Sequence, residues 1–143
     1  MRTIILATIF TILVGCHRAQ PAISATPGDE YAATSEKIGY LSEKANSGDN
    51  DALMFLIQHY TLYEPDNAER LRWLRLGAER GDPGHMNNLA TELASTPSME
   101  HCREALAWLD KAEKTTNVEF SGRVKRHRKE ILENNCKQFD PHV

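Results

Sequence analysis

The sequence predicts an all-α fold: a short α-solenoid of antiparallel helix pairs, about six helices following a disordered tether. Three observations carry this. From Ser35 onward apolar residues recur at helical spacing, and no alternating strand pattern of any length interrupts them. The helices are punctuated at Ser47-Gly48, Pro65-Asp66, Gly81-Asp82-Pro83, Pro97-Ser98 and Thr116-Asn117. And the text repeats. Gly48-x3-Ala52-x3-Leu56-x3-Tyr60 returns 33 residues later as Gly81-x3-His85-x3-Leu89-x3-Leu93. Leu71-Arg72-Trp73-Leu74 with Gly77-Ala78 returns at an offset of 35 as Leu106-Ala107-Trp108-Leu109 with Ala112-Glu113. A period of 33–35 residues carrying two helices is that of stacked hairpins, each too small to bury its apolar face alone.

The chain opens with one basic residue, Arg2, and a run of apolar residues and threonines from Ile4 to Val14. That run is far shorter than the ~20 residues needed to span a bilayer, so it reads as an export signal rather than a transmembrane helix. It closes on Leu13-Val14-Gly15-Cys16, which resembles the lipobox of bacterial lipoproteins. The resemblance implies cleavage before Cys16 and lipidation of its thiol, palmitate included, leaving a protein moored in the envelope and facing the periplasm. Stable mooring needs two or more acyl chains, because each buried methylene contributes only about 0.8 kcal/mol. His17 stands where an aspartate would resemble an inner-membrane retention signal, so the outer membrane is favoured over the inner.

Residues 1–15 are thus read as a signal peptide, 16–33 as a lipidated flexible tether and 34–143 as one helical domain. The tether is small, polar and proline-containing and cannot offset its chain entropy by burial. Stretched out, ~15 such residues reach about 50 Å. The first helix runs from Glu36 to Asn46, with Ile38, Leu41 and Ala45 at helical spacing, and stops at Ser47-Gly48. The second runs from about Asp51 to Tyr63, placing Ala52, Phe55, Leu56, His59, Tyr60 and Tyr63 on one face before Pro65. Asp66 and Glu69 have the spacing of a capping box for a third helix ending at Gly81. Asp82-Pro83 supplies an N-cap and a first-turn proline for the fourth, to about Ser95. Ser98 caps the fifth, to about Lys114, and Asn117 starts the sixth, to about Asn135.

The repeat resembles Sel1-like repeats, relatives of tetratricopeptide repeats. Residues 48–81 follow that pattern well: Gly-Asp, Ala four residues on, Leu and Tyr at further fours, then Trp, small residues and a closing Gly. Residues 81–117 follow it in part: His85 replaces the alanine, Leu93 the tyrosine and Thr116-Asn117 the closing Gly-Asp. Helices 35–46 and 118–135 would be half-repeat caps. Trp73 and Trp108, at equivalent positions, are expected in the core.

Composition excludes several chemistries. Removing residues 1–15 from 143 leaves 128, one domain's worth, with a net charge of −4, which offers nothing to nucleic acid. The six histidines form no H-E-x-x-H pattern, and the nearest group, His101-Cys102 with distant His127, is not a recognisable ligand set. There is no G-x-S-x-G elbow and no phosphate-cradling glycine loop, and Glu104 and Asp110 lie on different faces of one helix. The chain is therefore read as non-catalytic, with no cofactor, metal or small-molecule substrate. With Cys16 lipidated, Cys102 and Cys136 remain, an even pair in an oxidising compartment, at helix ends that a short turn brings together. A structural disulfide is expected there, since no C-x-x-C supports a redox pair. The basic run Arg123 to Lys129 reads as a solvated face; the alternative is contact with acidic lipid or an acidic partner.

Solenoids act by binding along the groove lined by the first helix of each pair. That groove would draw on Gln58, His59, Thr61, Tyr63, His85, Asn87, Asn88, Thr91 and Glu92. Their amide, hydroxyl and aromatic groups suit a protein partner in the periplasm. Two roles fit: an immunity lipoprotein that neutralises a secreted toxin, or an envelope assembly or signalling adaptor. Small Sel1-like lipoproteins resemble immunity partners of some secreted phospholipases. The adaptor role is common among Sel1-like proteins. A hydrolase reading, as for cysteine-rich Sel1-like proteins, needs a cysteine pair in each repeat that this chain lacks.

Overall fold

The computed structural model describes residues 29–139. The signal segment, Cys16 and the tether up to residue 28 lie outside the described residues, as do residues 140–143. The chain order is a 3-10 turn Asp29–Tyr31, α1 Ser35–Asn46, α2 Asn50–Gln58 prolonged by a π-turn His59–Tyr63, α3 Asn67–Glu79, α4 Pro83–Ser95, α5 Met99–Thr115, α6 Val118–Asn134 and a 3-10 turn Lys137–Phe139. Among the described residues there is no strand.

Each α-helix begins on a side-chain cap, because its first amide groups have no partner within the helix. Thr34 accepts from the amide of Lys37, Asp49 from Ala52, Asp82 from His85, Ser98 from His101 and Asn117 from Phe120. The Ala52 amide holds the Asp49 carboxyl below its ordinary range, against some desolvation, with help from the charge of Lys44. Asp66 caps α3 through the amides of Ala68 and Glu69, at 2.9 and 3.1 Å. The returning arm of a capping box is not made here. The Asp66 amide already donates to the Tyr60 carbonyl, and the Glu69 carboxylate turns to Arg72.

The stop signals are equally local. Gly48 and Gly81 have φ of 110° and 92°, the left-handed region where a Cβ costs about 1–2 kcal/mol. Each closes a Schellman turn. Gly48 donates to Ala45 and Asp49 to Lys44; one repeat later Gly81 donates to Ala78 and Asp82 to Gly77. The α5–α6 reversal, where Thr116-Asn117 stands in place of Gly-Asp, is built differently: Thr116 is extended at φ −116°, ψ 170°.

Consecutive helices pack against one another, forming two layers. In the layer of α1, α3 and α5, Arg80 at the end of α3 donates to the carbonyls of Ala45 and Asn46 at the end of α1. Arg75 on α3 meets Glu104 on α5 at 2.6 Å. In the layer of α2, α4 and α6, His127 meets Asn87, and the Asn135 amide donates to the carbonyl of Ala94. Between the layers lies one apolar core in which Leu53, Leu56, Trp73, Met86, Leu89, Leu109 and Val124 are fully enclosed. Each large apolar side chain so buried contributes about 1.5–3 kcal/mol before chain entropy is counted. Ala52, Ala78, Ala90, Ala105 and Ala112 keep the crossings close.

The tryptophans repeat with their neighbours. Each stands four residues after a glutamate, Glu69 before Trp73 and Glu104 before Trp108. Trp108, half-buried against the core, donates its indole N–H to Glu104 at 3.2 Å. Trp73 is buried but its indole N–H has no partner, because Glu69 is taken by Arg72, whose guanidinium lies 4.5 Å over the indole ring. The sulfurs of Cys102 and Cys136 are joined, with Cα atoms 5.7 Å apart. A loop of this length is worth about 3–4 kcal/mol in the chain-entropy account.

The packed domain includes residues before 34: Tyr31 is docked, its ring meeting Phe55 edge-on at 5.7 Å and its carbonyl accepting from His59.

Two outcomes follow from this geometry. Gly81→Ala, at positive φ, should lower unfolding stability by about 1 kcal/mol or more, whereas Gly39→Ala, exposed in mid-α1 with open space around its Cβ, should raise it by about 0.5–1 kcal/mol; urea titration separates the two. The second concerns Glu104. Burial pushes its carboxyl up, but the hydrogen bonds from Arg75 and Trp108 and the charge of Arg75 outweigh this and hold it below 4.5. A depressed carboxylate adds stability that is fully present above its unfolded value and lost as pH falls through the folded one. Glu104→Gln should therefore flatten the loss of stability below pH 4.5, read from melting temperature against pH.

Candidate partner-binding face

α2, α4 and α6 form the layer expected to carry the groove. The structure distributes the nine expected groove residues unequally. His59 is not on the surface at all; it is completely buried. Its Nδ1 donates to the Tyr31 carbonyl at 2.8 Å, and its Nε2 lies 3.4 Å from the Glu64 carboxylate. The ring sits among Phe55, Tyr60 and Tyr63, with centroids 6.5, 4.8 and 5.5 Å away. His59 is still in α-helical register, its amide donating to the Phe55 carbonyl, and it lies three residues after buried Leu56 on the face that α2 turns to the core. The π-turn follows from it, closed by the Glu64 amide donating to the His59 carbonyl at 2.9 Å.

The rest of that turn stays near the surface. Gln58 and Thr61 are half-buried, the Thr61 hydroxyl donating back to the Ile57 carbonyl. Tyr63 is exposed.

On α4, His85 is half-buried and lies against α3 rather than facing outward. Its ring occupies the space where a Cβ on Gly77 would stand, 2.5 Å from the ring Cγ, and its Nδ1 is 3.2 Å from Asp82. Here the repeat's alanine has become a histidine, and the facing residue is a glycine. Asn87 is half-buried and accepts from His127 Nδ1 at 2.8 Å. The Thr91 hydroxyl lies 3.3 Å from His127 Nε2 and donates to the Asn87 carbonyl at 3.0 Å, although the residue remains exposed. Glu92 is tied to Arg70 of α3 at 2.6 Å. Asn88 is exposed.

The free face is therefore narrower on α4 and more apolar on α2 than the sequence suggests. It comprises Tyr63, Asn88 and Thr91 of the expected set, joined by exposed Met54 and Leu62 on the outward side of α2. Between α4 and α6 it continues as a cleft of about 270 Å³ lined by Thr91, Ser95, His127, Glu130 and Asn134 among others. Met54 and Leu62 are misleading in sequence because they continue an apolar helix, and only the packing shows which apolar residues the core leaves out.

The basic run on α6 is largely engaged within the domain. Arg128 pairs with Asp110, Lys125 with Glu113 at 3.3 Å and Lys129 with Glu133 at 3.7 Å, and Arg123 lies over the Phe120 ring at 4.8 Å. Val124 and Ile131 face the core. His101 Nδ1 lies 2.7 Å from the Thr96 carbonyl, and Cys102 is in the disulfide. Among the described residues no cluster of three His, Cys, Asp or Glu side chains could hold a metal ion, and no helix is long and apolar enough to cross a membrane. Comparison with family models, with curated proteins and with solved structures finds no match to this chain.

Because a methyl at residue 77 meets an aromatic ring on a packed helix, Gly77→Ala should cost about 1–3 kcal/mol. Adding His85→Ala should return most of it. A double-mutant cycle by denaturant unfolding measures the coupling; additivity of the two changes would refute the contact.

Proposed function

We propose that this chain is a lipid-anchored, non-catalytic periplasmic module of Sel1-like type that binds a protein partner, serving as the immunity protein of a secreted, phospholipase-type toxin. The observation that carries the reading is the set of exposed side chains on the first helices of consecutive pairs and the π-turn that prolongs one of them: Met54, Leu62, Tyr63, Asn88 and Thr91. Aromatic and methionine side chains next to amides and hydroxyls are the composition of protein-binding surfaces rather than of small-molecule pockets. Several side chains with chemistry are held within the domain: Glu104 by Arg75 and Trp108, Asp110 by Arg128, His127 by Asn87. Attachment rests on Leu13-Val14-Gly15-Cys16 and the short apolar run before it. A small tethered binder that plugs an enzyme's active site has no need of catalytic groups of its own.

Deletion of the gene should kill cells only while the cognate toxin is active, and the protein should capture that toxin from periplasmic extract. Asn88→Arg should weaken capture by about tenfold or more while leaving the melting temperature unchanged. Labelled palmitate should enter the wild-type protein but not Cys16→Ser. Co-purification with an envelope complex, without toxin sensitivity on deletion, would assign the adaptor role instead.

A further inference from the structure

The outer side of α5 carries an open apolar groove of about 570 Å³, lined by Met99, Leu106, Ala107, Leu132, Phe139 and the Cys102–Cys136 bridge, with Arg103 and Asp110 at its edge. It is not part of the α2–α4–α6 face. Its position follows from the repeat. Arg75, the α3 residue that reaches across to α5, corresponds at the offset of 35 to Asp110, and its acceptor Glu104 corresponds to Phe139. One repeat further, the groove is thus where the next helix of this layer would lie. The described chain places only the 3-10 turn Lys137–Phe139 there.

We propose that the groove is filled by α5 of a second copy, in an antiparallel pair related by a two-fold axis between Leu106 and Ala107. The charges argue for this occupant. Arg103 and Asp110 are seven residues apart, two helical turns, and share one face about 10 Å apart along the axis. They are symmetric about that midpoint, so an antiparallel copy sets each Arg103 against the other copy's Asp110. Arg103 is exposed and makes no ion pair with a described residue, whereas Asp110 already shares its carboxylate with Arg128 and has a second oxygen to offer. The exposed Ala107 at the crossing point lets the backbones approach, and the exposed Met99 at each end lies alongside the aliphatic stem of the other copy's Lys114. A two-fold contact requires a surface to complement itself, and this stripe does. The pairing would leave both copies' α2–α4–α6 faces open, so it stands independently of the partner proposed above.

Sedimentation velocity of the purified full-length chain in mild detergent, disulfide intact, over about a hundredfold range of concentration, reads the equilibrium directly. The expected result is a monomer–dimer equilibrium whose dissociation constant rises by about tenfold or more in Ala107→Glu and in Arg103→Asp. Asp110→Arg alone should also dissociate. Mixed in equal amounts, Arg103→Asp and Asp110→Arg chains should form heterodimers, because each then faces its opposite charge. Circular dichroism confirms that the variants keep their helices. Should Asp110→Arg misfold on losing Arg128, Ala107→Glu and Arg103→Asp still decide. A chain that stays monomeric throughout, or a dimer indifferent to these changes, overturns the proposal.

Discussion

The architecture depends on one reversal made twice: a left-handed glycine followed at once by a capping aspartate. Gly48-Asp49 and Gly81-Asp82 stop one helix and start the next within a few residues, satisfying carbonyls behind and amides ahead. Because each reversal is so short, the two helices must lie antiparallel and in contact, and because it recurs, the hairpins stack in register. The ties between like helices presuppose that register. Arg80 reaches the end of α1 only because α3 ends level with it, and Arg75 finds Glu104 one repeat on. Where the motif is missing, at Thr116-Asn117, α5 runs to 17 residues and its hairpin with α6 is held by the disulfide as well as by packing. The disulfide closes the opposite end of that hairpin, joining the first turn of α5 to the residue pair after α6.

How much of this was legible in the sequence depends on the range of the force involved. Asp66, Asp82, Ser98 and Asn117 all cap the helices they were expected to cap, because a cap is decided within three residues. The cysteine pairing was legible for a related reason: antiparallel helices joined by a short turn fix which ends are adjacent. What depended on the competition of several partners for one group was not. The Asp66–Glu69 box closes on one side only, since Tyr60 and Arg72 take the other two positions. The π-turn is a case of the same kind. His59 to Tyr63 is spelled like the end of an α-helix, and nothing local marks the extra residue per turn. His59 itself precedes the displaced residues and lies three residues after Leu56 on the buried face of α2, so its place as an internal tie rather than a binding group follows from helical periodicity.

Which of the candidate face's side chains stay exposed was not legible in the sequence. Periodicity picks out the first helices of each pair. It does not tell how far α6 covers α4, and His127 is what takes Asn87 and half of Thr91 out of circulation. Nor does it tell that Gly77 and His85 are a matched pair, since the two are read as separate departures from the repeat until the ring is seen lying on the glycine. Each such pairing removes a polar group from the exposed set, and the face that remains is smaller and more apolar at the α2 end.

The buried His59 holds the start of the described chain against the domain. Tyr31 is joined to the domain by the hydrogen bond from His59 and the edge contact with Phe55, both on α2 and its π-turn. A histidine suits the position because one side chain can give a hydrogen bond to a backbone carbonyl while its ring packs as an apolar plate among Phe55, Tyr60 and Tyr63. Phenylalanine would fill the space but leave the Tyr31 carbonyl without its donor, and glutamine would donate but leave the aromatic nest unfilled. Tyr31 is thus held by the same element, α2 with its π-turn, that carries the exposed Met54 and Leu62.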